Sequence, residues 1–397
     1  MKYNTLKIFI AIMLMDFLCG MEFDLFVPSF PQLQHYFSLS TFWVEALLSV
    51  NFIGYFLSLF FIGKLSDRYG RKQIIIAGLL VFILGSVLCL CEQAFSFLLI
   101  GRFLQGVGIA APAILSFLIV ADNYPIKEQQ FLMAMLNGVM NTAVAIAPVF
   151  GSYIALYFHW QGNFAALLML GLFTLLVVFL FIPLYQVPQH PTETISHDYW
   201  PIFKSKPLML VVFMLLINYL PYWIFVGISP LLYIKELGVG LHYFGFYQGS
   251  LALTCAIGSV IYGLFIKYKP HNQKSMLNLG NGVFFLSFLM MTALILVDTK
   301  SPFLITLAML IFVIGQIIPG AILTPLALNF MPHAKARISA ILQGGRLILT
   351  SVALQGASLF YADSFQSVGW IIAGYIFLTV ILLFYVIKNK TLMKSVA

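Results

Sequence analysis

The chain has 397 residues, of which 61% are hydrophobic and only 9% are charged, and its formal net charge is +8. Soluble domains carry roughly 25% charged residues, so this composition excludes an ordinary water-soluble protein and indicates one that is solvated by lipid. The positive charge does not indicate nucleic-acid binding, because the basic residues fall in short loops between apolar runs.

These apolar runs predict an all-α integral membrane protein with twelve transmembrane helices, since a bilayer requires about 20 apolar residues per helix. The first run is not interpreted as a signal peptide, because Asp16 interrupts it and no small-residue cleavage site follows. The longest internal loop predicts two six-helix bundles, at 1–185 and 207–397, joined by a cytoplasmic linker at 186–206. The helices are predicted at 6–29, 40–62, 73–91, 95–120, 131–154, 163–184, 207–232, 243–266, 276–297, 302–326, 337–360 and 367–388.

The distribution of Lys and Arg predicts the orientation. Of the 21 basic residues, 17 fall on the side that holds both termini, and only Lys235 and Lys300 fall on the other side. Arg102 and Arg346 lie within predicted helices. The positive-inside rule therefore places both termini in the cytoplasm.

The first helix carries three acids, Asp16, Glu22 and Asp24. An ionised carboxylate in hydrocarbon costs roughly 3 kcal/mol, so these residues require a function or a partner. Asp16 and Asp24 are separated by about 80° around the helix and about 12 Å along it, whereas Glu22 points about 200° away from Asp24. Depth along the helices suggests that Asp24 pairs with Arg102, and it places Arg346 at about the level of Asp16.

Three further segments carry motifs. The loop after the second helix reads "GKLSDRYGRKQII", from Gly63 to Ile75, with glycines, an acid and basic residues at fixed spacing. The fourth helix contains "LLIGRFLQGVGIAA" around Arg102 and ends near Asp122. The fifth contains "GVMNTAVAIAPVFGS", from Gly138 to Ser152.

These segments resemble the motifs of the major facilitator superfamily in its drug/proton antiporter branch. The loop matches the signature G-x-L-a-D-r-x-G-r-r/k, and the fourth-helix segment matches l-x-x-x-R-x-x-q-G-x-g. The fifth-helix segment resembles the antiporter motif G-x₈-G-P-x-x-G-G, with Ala147 and Ser152 in place of two glycines. "FDLFVPSFPQL" resembles the first helix of Bcr/CflA-type transporters, and the spacing of Asp16 and Asp24 resembles that of MdfA-type antiporters.

The resemblance implies a first helix that lines a central cavity, and it suggests three groups of functional residues. The alternative for the three acids is a structural role as buried partners of the arginines. This alternative is favoured for Glu22. Glu45 is expected to lie at the membrane interface. Proton coupling and substrate binding are assigned to Asp16, Glu22, Asp24, Arg102 and Arg346. A conformational gate is assigned to Gly63, Asp67, Arg68, Gly70, Arg71 and Asp122, and the antiporter motif to Gly138, Pro148 and Gly151.

The function that follows is proton-coupled export of small molecules by alternating access. The alternative is transport of one anionic metabolite, such as a carboxylate siderophore, because the positive charge of Arg346 in the middle of a helix does not suit a cationic drug. A non-transporting sensor is not favoured, since the chain has no large soluble appendage. We expect no enzymatic activity, no cofactor, no metal and no nucleic-acid partner. We expect a monomer in the bacterial inner membrane that binds its substrate and protons.

Overall fold

The computed structural model of the protein describes residues 3–91, 93–124, 126–184, 199–268, 272–331 and 334–394. Two compact units are present, one formed by Met1–Pro191 and Val239–Ala252, the other by Thr192–Gly238 and Leu253–Ala397. The predicted domain boundaries stay a prediction, and residues 186–198 of the predicted linker lie outside the described part.

The first unit is built from helices that cross the bilayer in sequence. Within it, α4 packs on α5, α1 on α6 and α3 on α5. The helices are α1 (Tyr3–Asp24), the short α2 (Phe30–Tyr36), α3 (Thr41–Tyr69), α4 (Arg71–Cys89), α5 (Phe95–Asn123) and α6 (Ile126–Phe181).

The second unit begins with one short helix and a broken one, and α11 packs on both α12 and α14. Its helices are α7 (Trp200–Lys204), α8 (Lys206–Ile217), α9 (Leu220–Pro230) with a π-helical end at Leu231–Glu236, α11 (Gln273–Leu296), α12 (Pro302–Phe330), α13 (Lys335–Phe360), α14 (Phe365–Lys388) and α15 (Lys390–Lys394). Between α9 and α11 lies α10 (Leu241–Tyr268), which belongs to the first unit up to Ala252.

Within the described residues, ten helical stretches are long and apolar enough to cross a membrane. One of them, Met135–Phe181, contains two crossings, because His159 has a non-helical backbone with φ of 54°. The acid-bearing α1, which is not among these ten stretches, would complete the predicted twelve crossings. The predicted all-α membrane fold is confirmed, and the number of twelve crossings stays a prediction.

The surface of these helices is apolar, as expected where lipid replaces water. Phe60 and Phe61 of α3 are 58% and 62% exposed, and Phe179 and Leu180 of α6 are both 62% exposed. A water-soluble protein does not leave so many large apolar side chains uncovered. The exposed apolar faces are thus the lipid-facing surfaces of the two units.

Two predicted boundaries are wrong in an informative way. The first predicted helix, 6–29, ends its α-helical part at Asp24, because Pro28 has no N–H to donate to the carbonyl group of Asp24 four residues earlier. The signature segment is not a loop, since α3 continues to Tyr69 and α4 starts at Arg71. Gly70 alone connects them, with φ of 98° and ψ of 148°, a conformation that only glycine adopts readily.

Candidate functional site

A buried ion pair joins α1 to α5 in the first unit. The Nη1 atom of Arg102 lies 2.6 Å from Oε1 of Glu22, and both side chains are fully buried. The Arg102 guanidinium also lies over the ring of Phe26, 4.1 Å from its centroid. A buried ion pair stabilises a fold only when further hydrogen bonds satisfy its remaining atoms.

Neighbouring helices supply several of those hydrogen bonds, whereas Oε2 of Glu22 and Nη2 of Arg102 are buried without a partner. Asn51 of α3 donates from Nδ2 to Oε1 of Glu22 over 2.8 Å and to the carbonyl oxygen of Arg102 over 3.1 Å. Arg102 donates from Nη1 to Oε1 of Gln105 over 2.7 Å and from Nε to the carbonyl oxygen of Leu47 over 3.3 Å. Gln105 in turn donates to the hydroxyl of Ser86 in α4. The pair thus belongs to a network that connects α1, α3, α4 and α5.

The expected pair of Asp24 and Arg102 does not form, and this prediction is wrong. Glu22 takes the arginine instead, because its side chain points about 200° away from that of Asp24 and toward α3 and α5. The geometry supports the role of a buried structural partner that the sequence favours for Glu22.

Asp24 is the last residue of α1 and is 1% exposed. Its Oδ1 atom has no hydrogen-bond partner, and no basic side chain of the described residues lies within ion-pair distance of it. Arg102, the basic partner expected for Asp24, pairs with Glu22. Asp24 is therefore a buried acid without a fixed counter-charge.

Asp16 lies two turns earlier in α1 and is also 1% exposed. Its Oδ1 atom accepts a hydrogen bond of 3.0 Å from the hydroxyl of Ser116 in α5, and its Oδ2 atom has no partner. Among the described residues it has no ion-pair partner either. Among the described residues, Asp16 and Asp24 are therefore both buried acids without an ion-pair partner, whereas Glu22 pairs with Arg102.

The structure brings the three principal residues of the predicted gate together. Arg71, the first residue of α4, donates to Asp67 of α3, and its Nε atom lies 3.2 Å from Oδ2 of Asp122 in α5. Arg71 also donates to the hydroxyl of Ser66. Arg71 is mostly buried, whereas the side chains of Asp67 and Asp122 are 44% and 49% exposed. The cluster joins the ends of three helices.

The other predicted gate residues have separate surroundings. Arg68 lies over the ring of Tyr69 at 5.2 Å, and Gly70 forms the connection described above. Gly63 lies within α3, and a Cβ atom added there would meet open space. The backbone conformation at position 70 thus explains the glycine there, whereas the packing around position 63 gives no reason for a glycine.

The antiporter-motif residues lie on α6. Gly151 packs so closely on α1 that a Cβ atom would overlap the carbonyl oxygen of Leu25, the residue after Asp24. Pro148 lies within the helix, and Gly138 has open space at its Cβ position. The motif therefore contacts the chain at the end of α1 through Gly151.

Arg346 lies in α13 of the second unit and is partly buried. Its guanidinium carbon lies 4.9 Å from the ring centroid of Tyr219. In the described part of the chain, no carboxylate lies within ion-pair distance of Arg346. The cation is thus stacked on an aromatic ring without an acidic partner.

Sequence reasoning missed two features. Glu45 of α3, expected at the interface, is fully buried, and neither carboxyl oxygen has a hydrogen-bond partner. The depth of Glu45 along the helix does not reveal that it faces other helices.

The break between α8 and α9, at Asn218 and Tyr219, falls inside a predicted continuous span. Pro221 was the available signal, because it cannot donate to the carbonyl group of Ile217.

Comparison with known proteins gives related resistance proteins. The chain is 24% identical over 260 residues to the chloramphenicol resistance protein CraA of Acinetobacter baumannii, covering 65% of this chain and 63% of that protein. It is 29% identical over 243 residues to the multidrug resistance protein MdtL of Escherichia coli, covering 60% of each. The match thus spans about three-fifths of the length of these curated relatives.

Solved structures share the fold. A bacterial homologue of the lysosomal transporter Spinster, in an inward-facing and occupied conformation, superposes with a TM-score of 0.76 at 15% identity over 100% of this chain and 98% of that one. A D-xylose–proton symporter gives 0.78 at 14% identity over 96% and 97%. At such identities the likeness concerns the fold alone.

The family model of the Major Facilitator Superfamily matches residues 12–354. This range includes the acids of α1, the gate cluster and Arg346. The chain belongs to the major facilitator superfamily and is a multi-pass membrane protein.

Proposed function

We propose that the protein exports small molecules in exchange for protons, by alternating access. The observation that carries this proposal is the pairing in α1: Glu22 neutralises Arg102, and Asp16 and Asp24 stay buried without a basic partner. A permanent ion pair cannot exchange protons freely. An unpaired buried acid can, because burial favours its neutral form and contact with water favours its ionised form.

The proposed cycle uses this difference. An acid of α1 takes a proton while it is accessible from the acidic outside and releases it to the inside. A substrate that binds the deprotonated site more tightly than the protonated one then leaves in exchange for the proton. Each exchange moves the substrate outward and a proton inward, so the proton gradient drives accumulation outside.

The relatives support export of drugs. CraA is named for chloramphenicol resistance and the MdtL proteins for multidrug resistance. Chloramphenicol is neutral and is therefore a suitable first probe. Purified protein in liposomes should move chloramphenicol against its gradient when a pH gradient is imposed, and an ionophore that collapses the gradient should stop it. Transport that is unaffected by the ionophore would contradict proton coupling.

A second candidate is transport of one anionic metabolite, such as a carboxylate siderophore. The specific observation is Arg346, which has no acidic partner among the described residues and stacks on Tyr219. The same liposomes distinguish the two candidates, because a physiological anion transporter should ignore chloramphenicol and respond to carboxylates.

We further propose a bacterial inner-membrane location, a monomer as the working unit and both termini in the cytoplasm. The expected result is that reporters fused after Ala397, or inserted in the predicted linker at 186–206, behave as cytoplasmic. The reason is the 17-to-2 distribution of basic residues about the predicted helices. A reporter at either position that is active outside the membrane would overturn this topology.

Asp67→Asn should shift the conformational balance away from the state in which Arg71 bridges Asp67 and Asp122. The shift should be about 1 kcal/mol or less, because both acids are nearly half exposed and solvent screens their attraction. The measurement is maleimide labelling of a single introduced cysteine that reports accessibility.

Glu128→Gln is the matched control for this variant, since Glu128 is an exposed acid in the first turn of α6 outside the cluster. It should leave the labelling rate unchanged, and Asp122→Asn should act in the same direction as Asp67→Asn. A variant of Asp67 that loses substrate affinity at an unaltered labelling rate would assign the residue to the substrate site instead.

A further inference from the structure

The first spanning segment of the second unit is broken in its middle. Its two halves, α8 and α9, are separated at Asn218 and Tyr219. Pro221 has no N–H group to donate to the carbonyl oxygen of Ile217. The next carbonyl oxygen, that of Asn218, accepts a hydrogen bond of 2.8 Å from the side chain of Gln316 in α12. In transporters, helices interrupted within the membrane mark substrate sites, because they present backbone and polar groups there.

A cation lies beside this break. Arg346 of α13 stacks on Tyr219. The preceding residue, Gly345, comes so close to the end of α8 that a Cβ atom would lie 3.1 Å from a methyl group of Leu216. The acids in the described part of this unit are Glu236, Asp298 and Asp363, which lie at helix ends or in connections. A charge inside the membrane without a counter-charge is costly and is typically functional.

Two buried polar atoms near the same place have no partner. Asn218 is 1% exposed, and its Oδ1 atom accepts no hydrogen bond. Thr350 is 3% exposed, its Oγ1 atom is unpartnered, and it lies one helical turn after Arg346. Buried polar atoms normally have partners, so these two are available to a ligand.

We propose that Asn218, Arg346 and Thr350 form a recognition subsite for a small organic anion that carries both a carboxylate and a hydrogen-bond donor. The guanidinium of Arg346 binds the carboxylate, Oδ1 of Asn218 accepts a hydrogen bond from a hydroxyl or amide N–H of the ligand, and the Thr350 hydroxyl donates to a carboxylate oxygen. A neutral or cationic ligand leaves the arginine unpaired. This proposal names a substrate class for the second candidate function, transport of an anionic metabolite, and rests on that function only in this respect.

Three small probes separate these contacts. Meta-hydroxybenzoate has a carboxylate and a hydroxyl that cannot bond to that carboxylate, meta-hydroxybenzamide replaces the carboxylate with a neutral amide, and benzoate lacks the hydroxyl. Equilibrium binding to the purified full-length protein in detergent should favour meta-hydroxybenzoate over meta-hydroxybenzamide by about tenfold or more, since hydrogen bonds between charged groups are strong. Meta-hydroxybenzoate should also bind about threefold to tenfold tighter than benzoate. Equal binding of all three probes by the unmodified protein would overturn the proposal.

Variants assign each preference to a residue. Arg346→Gln should remove the preference for meta-hydroxybenzoate over meta-hydroxybenzamide, and Arg346→Lys should retain part of it. Asn218→Leu should remove the preference for meta-hydroxybenzoate over benzoate and leave the preference over meta-hydroxybenzamide, and Thr350→Val should weaken both carboxylates. Asn281→Leu is the matched control, because the Oδ1 atom of Asn281 in α11 is likewise unpartnered, and it should change neither preference. A control that alters the preferences as much as Asn218→Leu would show a general packing effect and contradict the subsite.

Failure of this subsite is distinguishable from failure of proton coupling. If Arg346→Gln keeps the meta-hydroxybenzoate preference while the unmodified protein exchanges protons for its substrate, the subsite is wrong and the transport function stands. If the preferences depend on Arg346 and Asn218 but no proton exchange occurs, the subsite stands and the coupling proposal is wrong. Elution of each variant as a single symmetrical peak in size exclusion confirms that it is folded before binding is compared.

Discussion

Asp24→Asn should abolish uphill transport while leaving substrate binding measurable. Asparagine resembles the protonated acid in shape and charge, so the variant is held in the proton-loaded form. In the proposed cycle, one exchanged proton per substrate allows about a tenfold concentration ratio per pH unit. The variant should reach only equal concentrations on both sides of a liposome membrane.

The direct measurement is proton release on substrate binding by detergent-solubilised protein, followed with a pH dye in weak buffer. The unmodified protein should release protons, Asp24→Asn should not, and Asp16→Asn should lose part or all of the release. Asp24 is placed first because it lies in the segment "FDLFVPSFPQL", which resembles the first helix of Bcr/CflA-type transporters; each of the two acids keeps one carboxylate oxygen without a partner.

Glu45→Gln is the matched control, because Glu45 is also a fully buried acid without a hydrogen-bond partner but lies on α3. It should retain proton release. A double variant of Asp16→Asn and Asp24→Asn that still releases protons and transports uphill would place the coupling group elsewhere. Loss of release in Glu45→Gln alone would identify that group as Glu45.

Glu22→Gln should destabilise the protein strongly, by about 3–5 kcal/mol, because it leaves the buried guanidinium of Arg102 without its counter-charge. Both side chains are fully buried, so water cannot replace the missing partner. Arg102→Met should cost a similar amount for the converse reason. Thermal unfolding in detergent, followed by tryptophan fluorescence, gives the comparison.

The double variant of Glu22→Gln and Arg102→Met tests the pairing itself. It should be less destabilised than the sum of the single variants, because the second substitution removes the charge that the first leaves unpaired. Glu45→Gln again serves as the control and should change the unfolding temperature little, since it removes no charge partner. Equal destabilisation by Glu22→Gln and Glu45→Gln would mean that burial, and not the ion pair, sets the cost.

The sequence allowed the membrane fold to be predicted well, because hydrophobic length and the Lys/Arg distribution depend on the bilayer and hardly on packing. The gate cluster could be predicted from the resemblance of the signature segment, which implies that its basic residue bridges to an acid at the end of the fourth helix. Helical spacing would not have sufficed, because Asp67 and Arg71 lie on different helices joined at Gly70.

The partner of Arg102 could not be predicted in this way. Depth along the helices made Asp24 and Glu22 almost equal candidates, since they differ by only about 3 Å in rise. The choice depends on the rotation of α1 about its own axis, which is fixed by contacts with other helices, such as the approach of Gly151 to Leu25. The burial of Glu45 escaped prediction for the same reason.

The single-residue connection at Gly70 has a mechanical consequence. A peptide chain has two soft torsions per residue, so only φ and ψ of Gly70 separate the last residue of α3 from the first of α4. No further residue is available to absorb a displacement of α4 relative to α3. Arg71 also bonds to both Asp67 and Asp122 beside this connection. While the bonds of Arg71 are in place, the ends of α3 and α4 cannot separate, and any change in the angle between the two helices has to occur at φ and ψ of Gly70.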